Sequence, residues 1–357
     1  MTEMTASERC FKRVTDLSAQ EHCWTEVCIA WACNFSLLFP IVPVVSIALP
    51  VFAWSQDSYS VQKNSGADYT LRVNANLVIL SATVLDHRNA LVSGLDKDDF
   101  QVYEDHVLQQ IKDFSHEDVP VTVGLVVDNS GSMGPKRADV IAAALSFARS
   151  SNPQDQMFVV NFNEHVSFGL PAEIPFTDRR DQLQLALSAI RTIGETALYD
   201  AIATALDHLK QGKCDKKVLI VISDGGDNAS KHNLAQVIEM AKTSDAIIYA
   251  IGIFDEQDGD QNPGVLKRFA KETGGEAFFP ESSKDIASIC AGIARDIRNQ
   301  YTLAYVPAIS KLDGRYRTVE VKANAPGHER LSVRTRTGYF VLSAPALSET
   351  VGHDSHH

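Results

Sequence analysis

The sequence predicts an α/β fold with a doubly wound, mostly parallel sheet and a smaller all-β unit beside it. Three observations support this prediction. Between residues 119 and 299, short and wholly apolar segments alternate with segments of helical periodicity, which is the pattern of a parallel sheet with helices on both faces. The flanking segments, 70–118 and 300–342, have strand character only. A chain of 357 residues is long enough for two such units.

The first predicted strand of the α/β region is an apolar run without polar alternation, which is typical of a strand buried on both faces. Pro135 suits the first turn of the helix that follows it. The predicted strands are Val121–Val127, Met157–Asn161, Val166–Gly169, Val218–Ile222, Ala246–Ile253 and Ala277–Phe279. The predicted helices lie near 136–150, 179–190, 198–210, 231–243, 263–272 and 283–299.

The first strand ends in an Asp-x-Ser-x-Ser sequence formed by Asp128, Ser130 and Ser132. Ligands of open α/β sheets bind at the carboxyl ends of the strands, which is where this cluster is predicted to lie. One carboxylate and two hydroxyls suit a hard divalent cation such as Mg²⁺, which prefers oxygen ligands. The alternative is that these residues only cap a helix and shape a turn.

Two later stretches carry similar side chains. Thr196 directly precedes a helical pattern, and Asp224 ends another apolar strand. Taken singly, Thr196 is typical of a helix cap and Asp224 of a turn. Gly131, Gly225 and Gly226 are expected to let the backbone turn tightly beside these side chains.

In this order, the three stretches resemble the von Willebrand factor A (VWFA) domain and its metal-ion-dependent adhesion site. The motif of that family is Asp-x-Ser-x-Ser, then a Thr, then an Asp. The resemblance implies a metal site formed by Asp128, Ser130, Ser132, Thr196 and Asp224. In such a site, the serines and the threonine contact the metal directly or through water, and the aspartates hold its waters. The resemblance also implies Mg²⁺, with Mn²⁺ or Ca²⁺ as alternatives, and one antiparallel edge strand at Val166–Gly169.

The segment SGLDKDDFQVYEDHVLQQIKDFS resembles the stretch that precedes the A domain in a bacterial VWFA-related family, the acidobacterial type. His106 stands where that family usually has glycine, so we expect a change in the local turn. RNQYTLAY and RTRTGYF resemble the same family, and the resemblance covers about 70 to 342. The acidic side chains of the segment are assigned to solvated turns rather than to a calcium site: Asp96, Asp98, Asp99, Glu104 and Asp105.

Neither flanking segment has enough strands to bury a core alone. We therefore expect 70–118 and 300–342 to form one β-sandwich-like unit, with the A domain of residues 119–299 inserted between them. The two ends of such an insertion lie close together.

The N-terminal region carries a targeting pattern. Residues 1–26 are polar and include basic side chains, and no residue of Val27–Trp54 is charged. The uncharged span is long enough to cross a bilayer, and basic residues in front of it place the N-terminus in the cytoplasm. We predict that 1–54 is a signal peptide or an uncleaved membrane anchor, followed by a linker at 55–69. In either case we expect the protein to be exported to the periplasm, the cell envelope or the medium. At the other end of the chain, residues 343–357 are predicted to be a disordered tail.

Charge and cysteine content limit the partners. The formal net charge of −12 opposes binding to nucleic acid, which needs a basic face. A membrane contact is expected only through the N-terminal segment. Cys214 and Cys290 match no metal-site spacing and are predicted to be free thiols.

The leading functional prediction is an exported, non-catalytic adhesion module that binds an acidic side chain of a protein partner through its metal. A metal-dependent hydrolase at the same strand ends is the alternative, and it needs a general base or nucleophile near the metal. The sequence supplies no convincing one, because His165 follows a different strand and His208 lies within a predicted helix. A third class, partners of a cytoplasmic ATPase, is opposed by the predicted export segment.

Overall fold

The computed structural model describes residues 77–188, 191–254, 261–308, 313–328 and 330–341. The predicted signal peptide or anchor, the linker and the tail lie outside these described residues. Within the described part of the chain, no helix is long and apolar enough to span a membrane.

Fourteen strands and six α-helices are described. The strands are β1 (Val78–Leu85), β2 (Phe100–Glu104), β3 (Val107–Gln109), β4 (Ile111–Ser115), β5 (Val121–Asp128), β6 (Gln156–Phe162), β7 (Val166–Phe168), β8 (Lys216–Ser223), β9 (Ala246–Gly252), β10 (Ala277–Phe278), β11 (Tyr301–Tyr305), β12 (Tyr316–Ala323), β13 (Ser332–Arg334) and β14 (Gly338–Phe340). The helices are α1 (Arg137–Ser150), α2 (Arg180–Ser188), α3 (Leu198–Leu209), α4 (Leu234–Thr243), α5 (Pro263–Thr273) and α6 (Ile286–Arg298).

The α/β region contains one six-stranded sheet with the order β10-β9-β8-β5-β6-β7. Its strands are parallel except β7, which pairs antiparallel with β6 at the edge. This confirms the predicted doubly wound sheet and its antiparallel edge strand. All eight residues of β5 are buried, as the absence of polar alternation predicts. The chain leaves β5 toward β6 on one side and later returns to β8 on the other, which creates a crevice at the carboxyl ends of β5 and β8.

Strands from both flanking segments combine into two four-stranded sheets, β13-β1-β11-β4 and β14-β12-β2-β3. The antiparallel pairs β1–β11 and β2–β12 join the segment before the α/β region to the segment after it. The two sheets share one hydrophobic core that includes Leu80, Phe100, Val102, Tyr301 and Val321. The predicted all-β unit of N- and C-terminal strands is therefore confirmed, whereas its exact boundaries stay predictions.

Local details differ from the expectations. Pro135 lies inside a 3-10 turn, Gly131–Lys136, and α1 begins only after it. Glu104 is buried, because it ends β2 on the same face as the core residues Phe100 and Val102. The assignment of Glu104 to a solvated turn is therefore wrong. Cys214 and Cys290 are free thiols, as predicted.

The hairpin between β2 and β3 has a two-residue loop, because Glu104 pairs with Val107. Both loop residues adopt left-handed backbone conformations, with φ of 47° at Asp105 and 67° at His106. Glycine is favoured in such hairpin loops, since L side chains pay a steric penalty there. His106 therefore occupies the turn at a conformational cost that glycine would avoid.

Candidate metal site at the carboxyl edge of the sheet

The two predicted aspartates lie at the ends of neighbouring strands. Val127 pairs with Ile222, so that Asp128 at the end of β5 and Asp224 just beyond β8 reach the same edge of the sheet. Both are buried, with exposed fractions of 2% for Asp128 and 4% for Asp224. The parallel register thus places two carboxylates with almost no solvent contact at the crevice.

The two serines connect these carboxylates. The hydroxyl of Ser132 donates to Oδ2 of Asp224 at 2.7 Å, and the hydroxyl oxygens of Ser130 and Ser132 are 3.2 Å apart. The backbone N–H of Ser130 donates to Oδ1 of Asp128 at 2.8 Å. The structure therefore brings four of the five predicted residues into one hydrogen-bonded cluster.

Thr196 lies on a third loop that is tied to the other two by hydrogen bonds. Its backbone N–H donates to Oδ1 of Asn228 at 2.8 Å, and its carbonyl accepts from the N–H of Asn228 at 3.0 Å. On the other side, the N–H of Gly131 donates to the carbonyl of Gly194 at 3.2 Å. These contacts hold the buried Thr196 beside the loops that carry the serines and Asp224.

Sequence reasoning missed two residues that shape the site. The hydroxyl of Ser223, the last residue of β8, donates to Oδ2 of Asp128 at 2.6 Å. Its only signal in the sequence is a hydroxyl at the end of an apolar run. Asn129 is fully buried and accepts a hydrogen bond from the guanidinium of Arg137, which also donates to the carbonyl of Leu187 at 3.0 Å. Arg137 thereby links the loop that carries Asn129 to the C-terminal end of α2.

The glycines contribute unequally to the turns of the site. Gly225 has a φ of +80°, and a Cβ there would lie 2.5 Å from the carbonyl oxygen of Asn262. A larger residue at this position is excluded on both counts. At Gly131 the nearest atom to an added Cβ is 3.7 Å away, an ordinary contact distance, so the space at this turn would also admit a side chain.

The charge of the two carboxylates is not balanced by an ion pair within the described part of the chain. Among the described residues, no ion pair involves Asp128 or Asp224. Burial raises the pKa of Asp128 to about 6, hydrogen bonds from Ser130 and Ser223 oppose this shift, and repulsion from Asp224 adds to it. Buried charges are normally paired or bound to a metal, so this cluster is suited to an external cation.

The set of donor atoms decides which cation fits. Hydroxyl and carboxylate oxygens are the ligands of hard divalent cations. Across the described ranges, no group of three or more His, Cys, Asp and Glu side chains is arranged to hold a metal. A cation at this edge would therefore depend on the serine and threonine hydroxyls together with the two carboxylates.

The sequence of this region is similar to known proteins. Residues 122–291 match the family model of the von Willebrand factor type A domain. An uncharacterized protein of Borreliella burgdorferi is 22% identical over 221 residues, which are 59% of this chain and 64% of that protein. The chain thus spans less than two thirds of the length of this relative.

Solved structures of similar fold include the von Willebrand factor type A protein of Catenulispora acidiphila, with a TM-score of 0.46 and 14% identity over 76% of this chain and 74% of that one. The vWF domain of the type V pili tip protein Mfa5 from Porphyromonas gingivalis has a TM-score of 0.43 and 16% identity over 50% of this chain and 95% of that one. Proximal thread matrix protein 1 from the mussel byssus, with a zinc-occupied MIDAS motif, has a TM-score of 0.42 and 15% identity over 51% of this chain and 49% of that one. All three TM-scores lie below 0.5, and the family match concerns residues 122–291.

Proposed function

We propose that the part of the chain that matches the von Willebrand factor type A family model, residues 122–291, binds a protein partner through a divalent metal ion. The residues that would hold the ion are Asp128, Ser130, Ser132, Thr196 and Asp224. One observation carries the proposal: two buried carboxylates are joined through serine hydroxyls, and no ion pair among the described residues balances their charge.

The hydrogen bonds of the cluster suit an oxygen-rich site for Mg²⁺, with Mn²⁺ or Ca²⁺ as alternatives. Because Ser132 donates its proton to Asp224, lone pairs of its oxygen are left for a cation. The aspartates would orient the hydroxyls and the metal-bound waters. An ion held mainly by neutral hydroxyls keeps much of its charge, and that charge would attract an acidic side chain of the partner.

The described contacts favour binding over hydrolysis. His232 is engaged with Asp200 at 2.6 Å, and His208 packs against phenylalanines and hydrogen-bonds to the carbonyl of Pro175. His165 lies 3.8 Å from Glu164. Within the described residues, no histidine hydrogen-bonds to the five proposed site residues, so a general base for a hydrolase is not offered by these side chains.

We further propose that the protein acts in the cell envelope or outside the cell, as a secreted or membrane-anchored protein. The support is the uncharged span Val27–Trp54 with basic residues before it. Cell fractionation tests this proposal. Export predicts recovery with membranes, periplasm or medium, and a full-length soluble cytoplasmic form would contradict it.

Partner binding is tested by capture of cell-envelope proteins on the immobilised protein with Mg²⁺ and with EDTA. Wild type with Mg²⁺ should retain a partner that EDTA releases and that Asp128→Ala does not retain. The effects of EDTA and of Asp128→Ala on partner binding should not add, because both remove the same ion. Asp207→Ala is the matched control, since that aspartate is 62% exposed on α3 and pairs with Lys210. Undiminished binding by Asp128→Ala and in EDTA would contradict the proposal, and metal-dependent hydrolysis of esters or phosphates would favour the enzyme.

A further inference from the structure

The loop before Thr196 presents an exposed aliphatic side chain next to the proposed metal site. Ile193 is 59% exposed. Its backbone is nevertheless fixed, because its N–H donates to the carbonyl of Asn129 at 3.0 Å and the next residue, Gly194, accepts from Gly131 at 3.2 Å. Both contacts are to the loop that carries the two serines. Ile193 is therefore held in place beside the site.

Two glutamates flank the turn at Gly194: Glu195 follows it in the chain, and Glu164 reaches it from the loop between β6 and β7. Oε2 of Glu164 accepts the backbone N–H of Glu195 at 3.1 Å, and a Cβ added to Gly194 would lie 1.6 Å from that oxygen. Glu164 thus packs directly on the turn that bonds to Gly131. Its side chain is 37% exposed, and Glu195 is also exposed. Nδ1 of His165 lies 3.8 Å from Oε1 of Glu164, and the side chain of His165 is 85% exposed.

Together these residues place an apolar side chain and negative charge at the turn that bonds to the serine loop. A cation in the cluster would attract one carboxylate, whereas Glu164 and Glu195 would repel further acidic groups and attract a basic one. Covering Ile193 would remove apolar surface from water, which favours an apolar contact on the partner.

We infer, on the basis of the proposed function, that the partner is a protein segment with one acidic side chain for the metal, flanked by an apolar residue that covers Ile193 and a basic residue that faces Glu164 and Glu195. An acidic residue surrounded by other acidic residues would be disfavoured. The inference therefore names the sequence chemistry that the site selects, beyond the metal contact itself.

A displayed peptide library with one fixed aspartate and randomised neighbours tests this inference on the full chain. Selection on wild type with Mg²⁺ should enrich aliphatic and basic neighbours of the aspartate. Ile193→Ser should lose the aliphatic preference, and the double variant Glu164→Gln with Glu195→Gln should lose the basic one. Glutamine at 164 keeps an oxygen that can accept the N–H of Glu195, so that the loop is preserved while the charge is removed.

The affinity of a selected peptide should fall about tenfold for Ile193→Ser and for the double glutamine variant. Mn²⁺ binding should stay unchanged in both variants, which separates loss of recognition from loss of the metal. Leu108→Ser and Glu320→Gln are matched controls in the all-β unit, because their exposed fractions are 58% and 56%. Neither control should change the selection or the affinity.

The outcomes distinguish this inference from the function on which it rests. The inference would be overturned if metal-dependent selection enriched no particular residues beside the aspartate. It would also be overturned if wild type and the variants enriched the same residues there. Either result would leave the proposed function intact. If wild type selects no peptide in a metal-dependent way, the proposed function fails and the inference fails with it.

Discussion

Two buried carboxylate clusters in this molecule solve the same electrostatic problem differently. In the all-β unit, Glu104 is 4% exposed. It accepts hydrogen bonds from the guanidinium of Arg317 at 2.8 Å and from the hydroxyls of Tyr305 and Tyr339, both at 2.7 Å. The negative charge is therefore balanced by a cation and by polar donors from other strands of the same core.

At the carboxyl edge of the parallel sheet, Asp128 and Asp224 are as deeply buried, but the hydrogen bonds to them come from serine hydroxyls and backbone N–H groups. Neutral donors reduce the cost of burial without balancing the charge. The comparison indicates that the Glu104 cluster serves the fold. The aspartate cluster instead costs stability unless an ion binds.

The largest expected effect comes from breaking the balanced cluster. Glu104→Ala removes the carboxylate that faces the buried guanidinium of Arg317. Loss of one partner of a buried pair lowers the free energy of unfolding by about 3–5 kcal/mol. Urea unfolding measures this loss. A change below about 1 kcal/mol, the scale of an exposed pair, would contradict the structural role given to Glu104.

The second effect comes from supplying a divalent cation to the aspartate cluster. Mg²⁺ at about 100 times its Kd should raise the free energy of unfolding of wild type by about 2.7 kcal/mol. Thermal or urea unfolding with Mg²⁺ and with EDTA measures the increment. Asp128→Ala should lose the increment, and Asp207→Ala should retain it. An equal increment in Asp128→Ala would place the stabilising ion elsewhere.

A third effect concerns the protein without metal. The pKa of Asp128 in the folded state, about 6, lies above its ordinary value, so ionisation at pH 7 destabilises the fold. Asp128→Asn should therefore raise the free energy of unfolding at pH 7 by about 2 kcal/mol in EDTA. In wild type, the same cost is relieved as the pH falls through about 6 and the carboxyl takes up its proton. Destabilisation by Asp128→Asn in EDTA would show that the charge of Asp128 is balanced within the protein.

The smallest effect is the pH dependence of metal binding. If Asp128 must lose its proton to help hold the ion, Mg²⁺ should bind about tenfold more weakly at pH 5 than at pH 7, which corresponds to about 1.4 kcal/mol. Oδ1 of Asp155 accepts a hydrogen bond from the backbone N–H of Val121, the first residue of β5, at 2.9 Å. Burial also raises the pKa of Asp155 to about 6. It lies at the opposite end of that strand. Asp155→Asn should therefore leave the pH profile of Mg²⁺ affinity unchanged in calorimetric titrations.

The sequence predicts structure best where the hydrophobic pattern of a single strand indicates its burial. The apolar runs of β5 and β8 predicted buried parallel strands, and their ends placed Asp128 and Asp224 at one edge. The shortage of strands in each flanking segment predicted the shared all-β unit. In each case, the physical cause lies within a short window or in a simple requirement to bury a core.

Contacts between distant segments could not be predicted in this way. Glu104 meets Arg317 across 213 positions, and nothing near either residue specifies the other. The period of two in Phe100, Val102 and Glu104 does indicate an inward-facing glutamate, in contrast to the solvated turn expected for it. Likewise, the bond that fixes the Thr196 loop comes from Asn228, an ordinary loop residue in the sequence.

The central claim is that the cluster of buried aspartates and serines holds one divalent cation. Electron paramagnetic resonance of Mn²⁺ during titration tests it most directly, because free and bound Mn²⁺ are counted separately. The account predicts one tightly bound Mn²⁺ per chain, displaced by excess Mg²⁺, absent in Asp128→Asn and retained in Glu320→Gln. Absence of a bound ion in wild type, or equal binding in Asp128→Asn, would contradict the claim.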